Sequence, residues 1–347
     1  MREPPRVTGR DALASSDSLK QCRDKLAQLL GVGVSQVVLT SGATYGLNAA
    51  LLGLGLKRGD LVITTVMEHN SVLRPLACLE DRCGIRVEYI PLDADSKLDR
   101  SIYDRLLAEM PHLVVMTHAS NVTGRINPVR EWFEAAKSAD ALTLLDASQT
   151  AGRIPVTPDE LFADMVVFPG YKGLRGPSGT GALYVAPPIM LEPIFTGGTG
   201  VKSDLRLQPP EMPMRLEPGT PNTPAFAGLN AALHYYTEHA ANIVEEETTM
   251  AERLLSGLLN IPNVRVFDEN PLDRLPVISF SINSLDAETV GFALSESFGI
   301  KCRVGLHCAP LMHRALGIAG TVRLSPSYAN DPDDIDYALE AVRTVSM

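Results

Sequence analysis

Phe168-Pro169-Gly170-Tyr171-Lys172-Gly173-Leu174-Arg175-Gly176-Pro177-Ser178-Gly179-Thr180-Gly181 joins two apolar runs, 164–168 and 182–186. Both runs read as buried strands, and the glycines between them predict a tight, close-packed connection. Lys172 is then an amine fixed at the end of a strand. A lysine held in that way can form a Schiff base with an aldehyde cofactor. In isolation it reads equally as a surface lysine in a turn, as most lysines are.

Upstream, Asp146-Ala147-Ser148-Gln149 ends another apolar run, 142–145. A buried carboxylate is costly unless a cation meets it. The protonated nitrogen of a pyridoxal phosphate (PLP) ring is such a cation, and Gln149 is placed to reach the ring's phenolic oxygen. The competing reading of Asp146 is a helix cap at a strand–helix turn. Further apolar runs at 61–65, 87–90, 113–116 and 165–168 alternate with helical spacing at 44–54 and 129–139. This pattern predicts an α/β fold with a mostly parallel sheet covered on both faces, and a ligand outside the carboxyl ends of its strands.

The 347 residues suffice for two domains. They divide into a large domain over 16–240 and a smaller α+β domain over 241–347, to which 1–15 is assigned. The proline-rich stretch 205–224 reads as a surface excursion, followed by a long helix over 241–259. Ile278, Phe280 and Ile282 alternate with polar residues as in a half-buried strand, and a short strand is expected at 300–303. Asp286 is expected to cap a helix reaching Phe298, and Asp331 with Pro332 to start the last helix.

A net charge of −10, with 45% hydrophobic and 21% charged residues, argues against nucleic acid or an anionic membrane as partner. No apolar run is long enough for a transmembrane helix, and the first residues lack an apolar signal core, so a cytoplasmic protein is expected. The five cysteines include no CxxC pair, which disfavours a metal site or a disulfide framework.

Four further groups carry chemistry. Ser41-Gly42-Ala43-Thr44 opens a helix after the strand 36–40, where free N–H groups can hold a phosphate; an ordinary N-cap is the plainer reading. His69 follows another strand and can stack on a ring and exchange protons, or simply cap a helix. Cys308 lies in a glycine-bearing loop beside His307 and near Arg303, a setting that can favour a thiolate; a structural cysteine is the alternative. Arg303 and Arg323 can each clamp a carboxylate, or form surface ion pairs.

Together, SGATYGLN (41–48), MEHNSV (67–72), SNVTGRINPV (120–129), LLDASQTAG (144–152), GYKGLRGPSGTGALYV (170–185), EPGTPNTP (217–224), RVGLHCAP (303–310) and VRLSPSYAN (322–330) resemble the class V aminotransferase superfamily of PLP enzymes. The chain is most similar to its cysteine desulfurase and selenocysteine lyase branch, with a cysteine loop like that of the short-loop, group II enzymes. The resemblance implies PLP-dependent transferase fold type I, with a seven-stranded sheet. It implies that Lys172 holds PLP, Asp146 pairs with the ring nitrogen, Gln149 with the phenolic oxygen, and His69 stacks on the ring. Thr44 and the backbone of Ala43 would bind phosphate. Thr220 would reach the phosphate of a neighbouring subunit, so a homodimer is implied. Asn121 and Arg323 would hold the carboxylate of an amino-acid substrate, with Arg303 beside it. Cys308 would take sulfur from L-cysteine as a persulfide, for delivery to a possible acceptor protein, and leave L-alanine.

The chain also departs from that pattern. Only about sixteen residues precede the first predicted helix, where relatives begin with an extra strand and an Asn-Ala-Ala-Thr-like turn, so part of the substrate wall is expected to be absent or rebuilt. Pro169 and Tyr171 stand where relatives carry a hydroxyl residue and a histidine. Proline offers the phosphate no donor, although Tyr171 can offer its hydroxyl, and looser PLP retention is expected. Leu306 replaces a histidine two residues before Cys308. The alternatives are a selenocysteine lyase, another class V lyase, aminotransferase or epimerase, and a non-catalytic PLP-fold partner subunit.

Overall fold

A computed structural model describes the backbone of residues 9–270 and 272–347 and the side chains of 17–270 and 272–347. Eleven strands and nine α-helices alternate along these residues. They run α1 (Gly9–Leu30), β1 (Val37–Thr40), α2 (Ala43–Gly53), β2 (Leu61–Thr65), α3 (Asn70–Cys83), β3 (Arg86–Ile90), α4 (Arg100–Leu107), β4 (Leu113–Thr117), α5 (Val129–Ser138), β5 (Leu142–Asp146), β6 (Met165–Pro169) and β7 (Gly181–Val185). The remainder is α6 (Thr223–Leu259), β8 (Val264–Phe267), β9 (Ile278–Ile282), α7 (Ala287–Phe298), β10 (Arg303–Gly305), α8 (Pro310–Ala315), β11 (Thr321–Leu324) and α9 (Pro332–Val345).

The expected seven-stranded sheet is present, in the order β1-β7-β6-β5-β4-β2-β3. Only β7 runs against the rest, as shown by its antiparallel pairing with both β1 and β6. Strands β1, β2, β4, β6 and β7 are buried at every residue, as a sheet covered on two faces requires. On one face, Leu26, Phe133 and Leu229 bring α1, α5 and α6 into a single core. On the other, Leu47, Leu51, Val72 and Leu76 of α2 and α3 pack over Val62, Val115 and Val167.

Register decides where the site falls. Thr40 and Pro169 both oppose Gly181, so β1 and β6 end at the same edge of the sheet. Thr117 of β4 pairs with Asp146 of β5, which brings those two ends together as well. The segments carrying residues 41–44, His69, Asn121, Asp146 and Lys172 therefore all leave the sheet at its carboxyl edge.

A four-stranded antiparallel sheet, β10-β11-β9-β8, forms the base of the C-terminal region. Helices α7, α9 and the second half of α6 cover it with Val290, Leu294, Val342 and Leu254. Asp286 caps α7, and Asp331 forms a capping box with Asp334 at the start of α9.

Three element boundaries differ from expectation, the first being that α1 begins at Gly9 rather than after about sixteen residues. Helix α6 begins at Thr223 rather than 241, because Asn222 accepts the Ala225 N–H and Pro224 suits the first turn. Phe226 and Leu229 of α6 belong to the large core and Met250 and Leu254 to the small one, so a division at 240 falls inside one continuous helix. The short strand expected at 300–303 is instead β10, Arg303–Gly305, paired with β11. Of the segment 1–15, residues 1–8 lie outside the described residues, and 9–15 are the first turns of α1. No helix among the described residues is long and apolar enough to cross a membrane.

Candidate active site

Lys172 leaves β6 within a turn fastened from several sides. Gly170 N–H donates to Thr180 O at 2.8 Å, Gly176 N–H to Gly170 O at 2.7 Å, and Arg175 N–H to Lys172 O at 3.0 Å. Gly173 lies so close to the turn after β5 that a Cβ there would sit 2.3 Å from the Ala151 carbonyl oxygen. Buried Glu247 of α6 ties the same two turns together, 3.0 Å from Arg153 and 2.8 Å from Arg175. A carboxylate between two guanidiniums satisfies its charge and fixes the lysine turn against the aspartate turn. Burial pushes the Lys172 amine down to about 8, against the upward pull of Asp146.

Asp146 is 3% exposed at the end of β5. One carboxylate oxygen accepts the Ser148 N–H at 2.9 Å, and the residue lines a cavity of about 600 Å³ together with Lys172 and Gln149. No helix follows Asp146 before β6, so the helix-cap reading fails.

Ser41, Gly42, Ala43 and Thr44 line the same cavity. Gly42 precedes α2 with φ +135°, a conformation that other residues rarely adopt, and no side chain caps the first turn. Gly42 is thus an N-cap that offers no side-chain acceptor, and the first-turn N–H groups of α2 stand uncapped at the cavity wall. Thr44 Oγ1 lies 2.8 Å from Ser71 Oγ, which lies 2.9 Å from His69 Nδ1. His69 is the N-cap of α3: its Nδ1 accepts the Ser71 N–H at 3.0 Å, so a neutral ring carries its proton on Nε2. The capping reading is correct for His69, and the residue lines the cavity as well. Burial lowers its pKa below the ordinary histidine value, with Asp146 acting in the opposite direction.

The residues fit a phosphate-bearing pyridine aldehyde. The cavity joins an amine for the aldehyde, a buried carboxylate for a ring cation and an uncapped helix start for a phosphate. Pro169 and Tyr171 line it too, with Tyr171 48% exposed.

Cys308 lines an adjoining pocket of about 430 Å³ that shares Thr44, His69 and Ser71 with the first. Arg303 donates to its thiol sulfur at 3.1 Å. Arg323 donates to the Asn121 carbonyl at 2.8 Å, and the Asn121 amide donates to the His307 carbonyl at 2.7 Å. Arg323 Nε is buried with no hydrogen-bond partner among the described residues, a donor that a carboxylate would satisfy. Neither Arg303 nor Arg323 forms an ion pair among those residues, so the surface-pair reading does not apply. Burial pushes Arg323 down to about 10, with Arg303 adding to the effect.

Lys172, Asp146, Gln149, His69, Ala43, Thr44, Tyr171 and Asn121 thus meet around one cavity, with Cys308 in the next pocket. Thr220 is exposed and lines neither. Sequence reasoning missed three residues. Ser71 links Thr44 to His69, and its place two residues after a capping histidine was the available signal. Glu247 left no local signal. Glu68 is fully buried beside His69, accepting from Thr65 Oγ1 at 2.7 Å and Thr117 N–H at 2.9 Å. Burial pushes its carboxyl up to about 8.

The class V aminotransferase family model matches residues 6–338. A probable cysteine desulfurase of Methanothermobacter thermautotrophicus is 32% identical over 98% of this chain and 87% of its own length. A cysteine desulfurase of Pectobacterium atrosepticum is 30% identical over 95% of this chain and 83% of its own. Among solved structures, the apo cysteine desulfurase of Thermococcus onnurineus superposes with a TM-score of 0.91 at 31% identity, covering 98% of this chain and 86% of that one. The fold, the PLP-type cavity and the match along nearly the whole length agree, and the chain belongs to the class V aminotransferase family of PLP-dependent enzymes.

Proposed function

We propose that this protein is a PLP-dependent cysteine desulfurase that converts L-cysteine to L-alanine and carries the sulfur on Cys308. One observation carries the reading. Thr44, Ser71 and His69 wall both the cavity that holds Lys172 and Asp146 and the pocket that holds the Cys308 thiol. A substrate bound in the first would therefore lie beside the second. The cysteine desulfurases of about 30% identity over most of the chain support it.

When bound, PLP supplies an electron sink for charge developed at the substrate α-carbon. Lys172 would anchor it, Asp146 would pair with its ring nitrogen, Gln149 would face its phenolic oxygen and His69 its ring face. The start of α2 and Thr44 would hold its phosphate. With its amine lowered to about 8, Lys172 is neutral often enough near neutral pH to accept a proton from the substrate α-carbon. Arg323 and Asn121 would orient the substrate carboxylate. Arg303, bonded to the Cys308 sulfur, would hold it in place for attack on the substrate sulfur. The outcome balances: L-cysteine and the Cys308 thiol give L-alanine and a Cys308 persulfide. Turnover then needs an acceptor thiol, supplied by an acceptor protein or a small reductant.

Thr220, on the surface, would complete the phosphate site of a second copy in a homodimer, and the enzyme would work in the cytoplasm. Alanine formation from L-cysteine with a thiol reductant tests the reading. Lys172→Ala is expected to lose the visible band of bound cofactor and more than about a thousandfold of turnover, the upper part of the range for loss of an acid–base group. An unchanged rate in that variant rejects the proposal.

A further inference from the structure

A buried chain of two histidines and a threonine lies directly behind Cys308. His307, His313 and Thr321 are 2%, 0% and 0% exposed. Thr321 Oγ1 is 2.7 Å from His307 Nε2 and 3.3 Å from His313 Nε2, and His313 Nδ1 is 3.0 Å from the Ala309 carbonyl oxygen. None of the three lines the cavity of Lys172 or the pocket of Cys308, and the reaction as described uses none of them.

Hydrogen-bond directions follow from the chemistry of the groups. A carbonyl only accepts, so His313 Nδ1 carries a proton. A neutral His313 then has a lone pair on Nε2, which takes the Thr321 hydroxyl hydrogen. Thr321 has spent its one hydrogen, so His307 must donate from Nε2. His307 Nδ1 is left as a buried lone pair with no hydrogen-bond partner among the described residues. Burial lowers both histidines, His307 to about 3, and the nearby Arg323 adds to the effect on His307, so both rings stay neutral.

The backbone shows what this chain constrains. His307 and Cys308 are consecutive non-glycine residues with φ +50° and +59°, a left-handed turn that their side chains disfavour. Such a turn persists only where its surroundings hold it. The His307 carbonyl takes the Asn121 amide, the Cys308 carbonyl takes the Asn70 N–H at 2.7 Å, and the His307 ring is held through Thr321. Thr321 in turn sits opposite Gly305 on β11.

We propose that His307, fixed through Thr321 by His313, is a positioning residue that sets the direction of the Cys308 thiol and its contact with Arg303, and so governs the sulfur-transfer half of the reaction alone. The inference rests on the desulfurase reading above.

The test uses the PLP-loaded enzyme carrying Thr321→Val, which removes the hydroxyl at nearly constant volume. His313→Asn is the second variant, since it keeps a donor near the Ala309 carbonyl and loses the partner of Thr321. Three quantities are read: the alkylation rate of Cys308 by iodoacetamide, alanine formation from L-cysteine, and exchange of the α-proton of L-alanine in heavy water, which needs Lys172 but no thiol. Both variants are expected to slow alkylation and alanine formation by about tenfold, the equivalent of one lost buried hydrogen bond, and to keep α-proton exchange within about twofold. Thr321→Ser is expected to restore both losses. Wild-type alkylation in Thr321→Val and His313→Asn, or an equal loss of exchange and alanine formation, overturns the inference. Absence of alanine formation in the wild type overturns the desulfurase reading instead, and the alkylation rates still decide the role of His307.

Discussion

Lys172 and Cys308 stand at opposite ends of the proposed reaction and are held in opposite ways. The lysine turn leaves a fully buried central strand and packs against the aspartate turn through Gly173, while Glu247 ties both turns to α6. The cysteine turn follows β10, a three-residue edge strand with no fully buried residue, and depends on a few long-range hydrogen bonds for its left-handed conformation. Packing defines the first place, and individual hydrogen bonds define the second. The difference suits the chemistry. A cofactor site gains from rigid donors in fixed places, whereas a thiol that must meet a substrate and then an acceptor needs to remain accessible.

The contrast can be broken by loosening the rigid side. Glu247→Ala leaves the half-buried Arg153 and Arg175 without their carboxylate, and is expected to cost about 3 kcal/mol of stability, measured by urea denaturation. It should also release bound PLP, because the lysine and aspartate turns lose their common tie. A variant with unchanged midpoint and cofactor content would place the rigidity elsewhere. Gly173→Ala is a smaller perturbation of the same contact. A Cβ 2.3 Å from the Ala151 carbonyl forces backbone to move, with an expected loss of about 1–3 kcal/mol by the same measurement.

Glu68, next to His69 in the chain, sharpens the picture through pH. Its folded-state pKa is raised to about 8, so the folded form binds a proton that the unfolded chain releases in the usual carboxylate range. The stability due to the neutral carboxyl is therefore complete below about pH 4.5 and is lost progressively up to about pH 8. Glu68→Gln keeps the shape without the charge, and is expected to be more stable than the wild type at pH 8 and nearly equal to it at pH 5. Parallel pH–stability curves for the two proteins would reject a buried neutral carboxyl.

The rigid region was also the legible one. Continuous apolar runs at 61–65, 113–116, 142–145 and 165–168 permit little besides a buried parallel sheet, and Asp146, His69 and Lys172 each come within four residues of the end of such a run. The cysteine arm is less legible. Its strand β10 is too short for any periodicity, so it was expected three residues early. The start of α6 at Thr223 was hidden in a proline-rich stretch although Asn222 and Pro224 are helix-start residues. Glu247, Ser71, and the pairing of His307 and His313 with Thr321 act through contacts that form only on folding. Among them Glu247 joins turns 94 and 72 residues away. Thr220 stays on the surface of the single chain, and a role in a site requires a second copy.

The central claim is that sulfur leaves the substrate for Cys308. Mass spectrometry of the PLP-loaded protein tests it most directly, after one equivalent of L-cysteine is added with no reductant. One alanine formed per active site and a Cys308 peptide heavier by one sulfur atom are expected. Alanine formed with the Cys308 peptide unchanged, or with the sulfur on another cysteine, would contradict it.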